Sequence, residues 1–169
     1  PSPAGALVDL GAGTGVVSLL CLTRGRFSHA YAAELQPDYC DVIRRNAALN
    51  GLADRMTVLP GDVRALAAAS LSAPPAAVVS NPPYLAAGAG LPCADLRMET
   101  ARRELNGTIA DFCAAAARLL PSGGSFYVVY RPERMAELFS ALRAARLEPK
   151  RMVTLYPDAA SRPCLILVE

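Results

Sequence analysis

An open, doubly wound α/β sheet of seven mostly parallel strands is the fold this 169-residue sequence predicts, and three observations predict it. Short apolar runs alternate with stretches of helical period, as happens when crossover helices bury strands on both faces. Glycine clusters and proline pairs punctuate the runs, which is how strand ends and tight turns read in a sequence. A hydrophobic share of 53% with 19% charged residues suits one domain with a full core and rules out a disordered tail.

Residues 6–10 form a short apolar run that ends at glycines, so they read as a buried parallel strand. Residues 15–24 are apolar nearly all round, as expected of a helix packed on a sheet. Residues 29–34 are the second strand. Pro37 opens a helix whose apolar stripe is Tyr39, Ile43 and Ala47, and Gly51 stands just past its end. Residues 56–59 are the third strand, and the alanine-rich residues 63–69 predict a short helix. The fourth strand, residues 76–80, lies between Pro74-Pro75 and Pro82-Pro83.

Residues 85–107 show no clean period, and loops of that length in compact domains are usually functional or mobile. Thr108 and Asp111 signal the start of a helix with Ile109, Phe112, Cys113, Ala116 and Leu120 on its apolar stripe. Pro121 and Ser122-Gly123-Gly124 turn the chain into a fifth strand, residues 125–130. Met135, Leu138, Phe139 and Leu142 then recur at helical spacing and read as core. Residues 151–155 and 164–168 have no helix between them and predict an antiparallel hairpin at the sheet edge.

Charge and rare residues narrow the chemistry. A net charge of +2 is too mild to announce a nucleic-acid binder and does not exclude one. Lys150 is the lone lysine among 17 basic residues, and with so much alanine this pattern fits codon bias. Cys21, Cys40, Cys93, Cys113 and Cys164 are scattered and form no CxxC pair. They frame neither a disulfide scaffold nor a zinc site and read as buried, reduced thiols of a cytoplasmic protein. The single histidine, His29, removes Ser-His-Asp chemistry and histidine-based metal sites, so no metal is expected. No apolar run approaches the ~20 residues of a membrane-spanning helix, so no membrane partner is expected.

In open α/β sheets ligands bind at the carboxyl ends of the strands, and the unusual residues fall there. Asp9-Leu10-Gly11-Ala12-Gly13-Thr14-Gly15 follows the first strand. Its glycines allow a sharp turn, bring backbone N–H groups near a ligand and start a helix whose positive end favours an anion. Val16 stands where the dinucleotide fingerprint places Gly or Ala, so a nicotinamide cofactor fits poorly. A tight turn with no ligand is the alternative reading. Glu34 closes the second strand, where a carboxylate accepts hydrogen bonds from a ribose diol or is merely a solvated acid. Asp62 follows the third strand and could accept from an adenine amine or cap the next helix. Together these strand-end signals favour an adenosine-bearing ligand.

The strongest signal follows the fourth strand: Ser80-Asn81-Pro82-Pro83-Tyr84. Two prolines stiffen the backbone and supply no N–H, so the carbonyls of Asn81 and Pro82 remain as acceptors. The Asn81 side chain adds a carbonyl and Tyr84 a flat ring. This set suits a planar group bearing an NH2, its hydrogens held by carbonyls and its face stacked on the ring.

These residues together resemble class I S-adenosylmethionine-dependent methyltransferases acting on exocyclic or amide nitrogen, across essentially the whole chain. The order of the later segments, including Glu99-Thr100-Ala101-Arg102-Arg103-Glu104, is most similar to bacterial tRNA adenine-N6 methyltransferases acting beside the anticodon of valine tRNA. The resemblance implies S-adenosyl-L-methionine as cofactor, S-adenosyl-L-homocysteine as product and an RNA substrate, the tRNA anticodon loop at position 37. It implies that Gly11, Gly13 and Gly15 cradle the methionine end, with Asp9 near its amino group. Glu34 would hold the ribose hydroxyls and Asp62 the adenine amine, with Val63 lending a backbone N–H. Asn81, also counted among the cofactor-binding residues, and Pro82 would hold the target amine, and Tyr84 would stack on the base. Arg97, Arg102 and Arg103 could contact phosphate or form a solvated, ion-paired face with Glu99 and Glu104. The family normally carries a segment ahead of the first strand that helps cover the cofactor and bind RNA, so a piece of a longer protein is expected.

Two rival functions carry the same residues. A protein glutamine amide, as in a release factor, presents the same two hydrogens to an Asn-Pro-Pro-Tyr box. That family's glycine-rich stretch after the box is replaced here by Arg103-Glu104-Leu105-Asn106-Gly107. The other rival is a cofactor- or RNA-binding module without turnover.

Overall fold

The structure is a computed structural model and describes residues 4–83 and 107–169. It contains one seven-stranded sheet: β1 (Ala4–Leu10), β2 (Phe27–Glu34), β3 (Met56–Pro60), β4 (Pro75–Ser80), β5 (Ser125–Tyr130), β6 (Met152–Leu155) and β7 (Leu165–Val168). The strand order is β3-β2-β1-β4-β5-β7-β6. The first five strands are parallel, and β7 runs antiparallel between β5 and β6. The expected terminal hairpin is therefore present, with its second strand inserted as the inner one. Among the described residues no helix is long and apolar enough to cross a membrane.

Among the described residues four α-helices, α1 (Val16–Thr23), α2 (Pro37–Leu49), α3 (Ile109–Leu119) and α4 (Met135–Ala144), cover the sheet from two sides. Leu7, Ala30, Ala32, Met56 and Ala77 pack with Leu22 of α1 and Ile43 and Ala47 of α2. The alternate residues Val8, Leu10, Tyr31, Val78, Phe126 and Val128 face α3 and α4. Period-two alternation thus feeds two apolar layers from nearly continuous apolar strands.

Local chemistry sets the helix ends. Pro37 occupies the first turn of α2, where its missing N–H is not needed, and Gly51 takes φ 67° just beyond the end. Thr108 and Asp111 form the predicted capping box, the Thr108 N–H donating to Asp111 Oδ2 at 2.8 Å.

Several expectations are corrected. Residues 63–69 form turns and one 3₁₀ turn (Ala68–Ser70), not a helix. The Arg118 guanidinium donates to the carbonyls of Leu66 at 2.8 Å and Val63 at 2.9 Å, acceptors that an α-helix would use itself. On α2 the buried stripe is Cys40, Ile43 and Ala47, with Cys40 in place of Tyr39. On α4 Met135 is exposed, and Leu138, Ala141 and Leu142 are buried. Although α1 is apolar all round, it buries only Ser18 and Leu22, leaving Val16 and Leu20 more than half exposed. The free thiols Cys40 and Cys113 are buried, whereas Cys21 and Cys164 are half-buried.

Candidate active site at the carboxyl ends of the strands

Register aligns the strand ends. Leu10 pairs with Ala33 on β2 and with Ser80 on β4, and Glu34 pairs with Pro60 on β3. The glycine turn, Glu34, Asp62 and Asn81 therefore stand together at the carboxyl ends of the strands. The connection after β1 enters α1 on one face, while α3, following β4, lies on the other. The chain thus parts between β1 and β4, where such a sheet opens a crevice.

The glycine turn is shaped by left-handed backbone at Gly11 (φ 70°), Gly13 (φ 58°) and Gly15 (φ 79°). An added Cβ at Gly15 would stand 3.2 Å from Ile43 Cγ2, and one at Gly11 would stand 3.3 Å from Phe112 Cε1. At Gly13 it would meet nothing within 4 Å. Gly11 and Gly15 are small so that the turn packs on the protein, whereas Gly13 borders open space.

The N–H groups of Gly11, Ala12, Gly13 and Gly15, which the sequence reading brings near a ligand, are engaged by the protein itself. The N–H groups of Gly11 and Ala12 donate to Ala33 O, and that of Gly15 donates to Ala12 O. Gly13 donates to Glu34 Oε2 at 2.8 Å, while Gln36 N–H donates to Glu34 Oε1 at 2.9 Å. Glu34 is 6% exposed, and each of its oxygens retains acceptor capacity beyond these bonds.

Asp9 is 2% exposed and accepts the Ser18 hydroxyl at 2.8 Å on Oδ2. It also takes the Ser18 backbone N–H and so serves the first turn of α1 from within. Burial pushes its carboxyl up to about 6, the Ser18 bonds oppose that shift, and the Glu34 charge adds to it. A buried carboxylate in this state is suited to a cationic partner.

Asp62 is not presented free. Arg64 Nε donates to both of its oxygens at 3.0 Å, and the Arg64 N–H donates to Oδ1 at 2.8 Å. These bonds hold the carboxyl below its usual range. Arg64 is exposed and Asp62 half-buried, and an ion pair in contact with water contributes little to stability. The Val63 side chain is buried in the core. Asn81 is exposed, Pro82 buried and Pro83 half-buried. Tyr84, Arg97, Arg102 and Arg103 lie outside the described residues. Among the described residues no group of three or more His, Cys, Asp or Glu side chains could hold a metal ion.

The family model of the methyltransferase small domain matches residues 1–147. This chain belongs to that family. Its sequence is 26% identical over 173 residues to a tRNA1(Val) (adenine(37)-N6)-methyltransferase of Porphyromonas gingivalis, covering 99% of this chain and 67% of the relative. A release factor glutamine methyltransferase of Moorella thermoacetica is 36% identical over 102 residues, covering 59% of this chain and 34% of that protein. The chain thus spans about two thirds of the length of the tRNA-modifying relatives and much less of the other. A predicted O-methyltransferase from Agrobacterium tumefaciens has the same fold, with TM-score 0.72, 21% identity, and coverage of 96% of this chain and 71% of that one. Geranyl diphosphate C-methyltransferase of Streptomyces coelicolor A3(2), solved with Mg2+, geranyl diphosphate and S-adenosyl-L-homocysteine, aligns with TM-score 0.70 at 16% identity, covering 99% of this chain and 70% of that one.

In this methyltransferase small domain, sequence reasoning passed over Ser18, Arg64 and Ser80. Ser18 carried a signal, being a hydroxyl inside a helix otherwise apolar on every side. The Arg64 lock on Asp62 left none, because a surface arginine two residues from an acid is commonplace.

The buried Asp9 carboxyl ties stability to pH. Its folded value of about 6 lies above the ordinary 3.8, so its favourable contribution is complete below pH 4 and lost as pH rises through 6. The difference corresponds to about 3 kcal/mol of destabilisation at neutral pH. Asp9→Asn is therefore expected to raise the thermal midpoint by several degrees at pH 8 and to leave it nearly unchanged at pH 4, as read by circular dichroism.

Proposed function

We propose that this chain transfers a methyl group from S-adenosyl-L-methionine to the exocyclic N6 amine of an adenine in RNA, with position 37 of a tRNA anticodon loop as the target. The observation that carries the reading is the Asn81-Pro82-Pro83 segment, which follows β4 where that strand's last residue pairs with the last residue of β1, ahead of the glycine turn.

S-adenosyl-L-methionine supplies an electrophilic methyl on a sulfonium, whose sulfur leaves neutral. The residues fit that cofactor by their chemistry. Gly13 gives room beside the turn, Glu34 has lone pairs for the ribose hydroxyls, and the buried Asp9 carboxylate attracts the ammonium of the methionine end. Asp62 accepts from the adenine amine once Arg64 swings away, and Val63 lends its backbone N–H.

At the acceptor, an adenine amine is a poor nucleophile because its lone pair is delocalised into the ring. The Asn81 side-chain carbonyl and the Pro82 carbonyl accept its two hydrogens, which pulls nitrogen toward a tetrahedral shape and localises the lone pair. The same oxygens stabilise the positive charge that develops on nitrogen during in-line attack. Tyr84 stacks on the base splayed from its loop. The methylated ammonium loses its proton readily, so no general base is needed.

The Moorella relative supports a second reading, a protein glutamine amide as acceptor. Labelled S-adenosyl-L-methionine offered with total tRNA or with a release factor separates the two, and label in tRNA alone is the expected result. A binding module without turnover predicts no label in either. Calorimetry in which neither S-adenosyl-L-methionine nor S-adenosyl-L-homocysteine binds would remove the cofactor assignment.

A glycine pair tests where the cofactor lies. Gly13→Ala and Gly15→Ala each cost about 1–2 kcal/mol in left-handed backbone. Gly15→Ala also presses on Ile43 and is expected to lower the melting temperature more. Gly13→Ala is expected to lose more affinity for S-adenosyl-L-methionine, because its methyl enters the open side of the turn.

A further inference from the structure

We propose that Ser80 is a positioning residue that sets the separation between the cofactor turn and the amine clamp. This rests on the methyl-transfer reading above and assigns a role to a residue of the Ser80-Asn81-Pro82-Pro83 segment to which that reading gives none.

Leu10 and Ser80 are the last registered pair between β1 and β4. The next residue on one strand is Gly11, the first of the glycine turn, and on the other it is Asn81, the first of the clamp. Beyond this pair the chains part. The N–H groups of Gly11 and Ala12 both turn to Ala33 O on β2, at 3.0 and 2.9 Å. That ties the glycine turn to β2 just past the point where pairing with β4 ends.

At the point of divergence Ser80 Oγ donates to Leu10 O at 2.8 Å, and Ser80 is 4% exposed. Ala76, Ala77, Val78 and Val79 precede it, so an apolar strand ends in one buried hydroxyl aimed at the neighbouring strand's last carbonyl. The glycine turn is therefore held from both sides, by Ala33 on β2 and by Ser80 on β4. A hydrogen bond in a dry site is short and directional, so it fixes the spacing of the two loops it joins. In-line methyl transfer depends steeply on the distance between donor carbon and acceptor nitrogen, and those two loops define it.

The test compares wild type, Ser80→Ala, Ser80→Cys and Ser80→Thr by single-turnover methylation at saturating cofactor and tRNA. Dissociation constants for each ligand and thermal midpoints are measured alongside. Ser80→Ala and Ser80→Cys, which remove or weaken the donor, are expected to slow the single-turnover step by about 10- to 100-fold. Both dissociation constants should stay within about twofold, because only the relative placement of the ligands changes. Ser80→Thr restores the hydroxyl and should recover most of the rate. Rates that fall in parallel with both affinities and the thermal midpoint would mark a purely structural bond and overturn the proposal. An unchanged rate in Ser80→Ala would overturn it alone, leaving the methyl-transfer reading intact. A wild-type chain that binds cofactor yet methylates no nitrogen acceptor would remove the reading and the proposal with it.

Discussion

Asn81→Ala is expected to lower turnover by about 100-fold or more at saturating substrates, the scale seen when one preorganised polar contact to a transition-state charge is removed. The dissociation constant of S-adenosyl-L-methionine should stay within about twofold, because the proposed role of Asn81 lies chiefly with the acceptor. The selectivity follows from the position of Asn81 at the end of β4, exposed and one residue past the pinned Leu10–Ser80 pair. Its carbonyl is asked to interact more strongly with a nitrogen that is becoming positive than with a neutral amine, and that difference appears in turnover. Single-turnover rates and calorimetry on the same preparation check both halves. Equal loss of rate and cofactor affinity would refute the assignment.

Glu34→Ala is expected to do the opposite, raising the dissociation constant of S-adenosyl-L-methionine by about 100-fold, since hydrogen bonds to a charged group contribute about 1.5–3 kcal/mol each. Two effects contribute. On the proposed function the ribose hydroxyls lose their acceptor, and the Gly13 and Gln36 N–H groups lose the carboxylate that holds them. A cofactor analogue lacking one ribose hydroxyl separates the two, because its binding should suffer less from Glu34→Ala than that of the complete cofactor. If the substitution weakens both ligands equally, Glu34 serves only to shape the turn.

Much of this arrangement was legible in the residues. The strands were readable because parallel strands buried on two faces leave continuous apolar runs, and all seven were placed within a few residues of their observed bounds. The capping box of Thr108 and Asp111 depends on chemistry within four residues and was equally visible. What failed depended on partners distant in the chain. The residues after Asp62 have helical composition, yet Arg118, more than fifty residues away, takes the carbonyls that a helix would need. The composition of α1 could not reveal that one of its sides stays exposed. Val17 of α1 and Val79, Tyr127, Val129, Val153 and Leu167 of the sheet line an apolar groove of about 330 Å³, which Asn81 borders.

The site divides in the same way. The residue types of Gly11, Gly13, Gly15, Glu34 and Asn81 and their order at successive strand ends could be read directly, because the fold brings strand ends together whatever the loops do. How each polar group is already engaged could not. That Glu34 holds Gly13 N–H, that Arg64 occupies Asp62 and that Ser80 reaches Leu10 are facts of packing between segments 2 to 70 residues apart.

The most direct measurement is the chemical identity of the methylated product. Total tRNA incubated with this chain and labelled S-adenosyl-L-methionine is digested to nucleosides and resolved by mass spectrometry. Label in N6-methyladenosine with wild type, and its loss with Asn81→Ala, is the predicted result. Label on a ring nitrogen or a ribose oxygen, or N6-methyladenosine formed undiminished by Asn81→Ala, would contradict the carbonyl clamp.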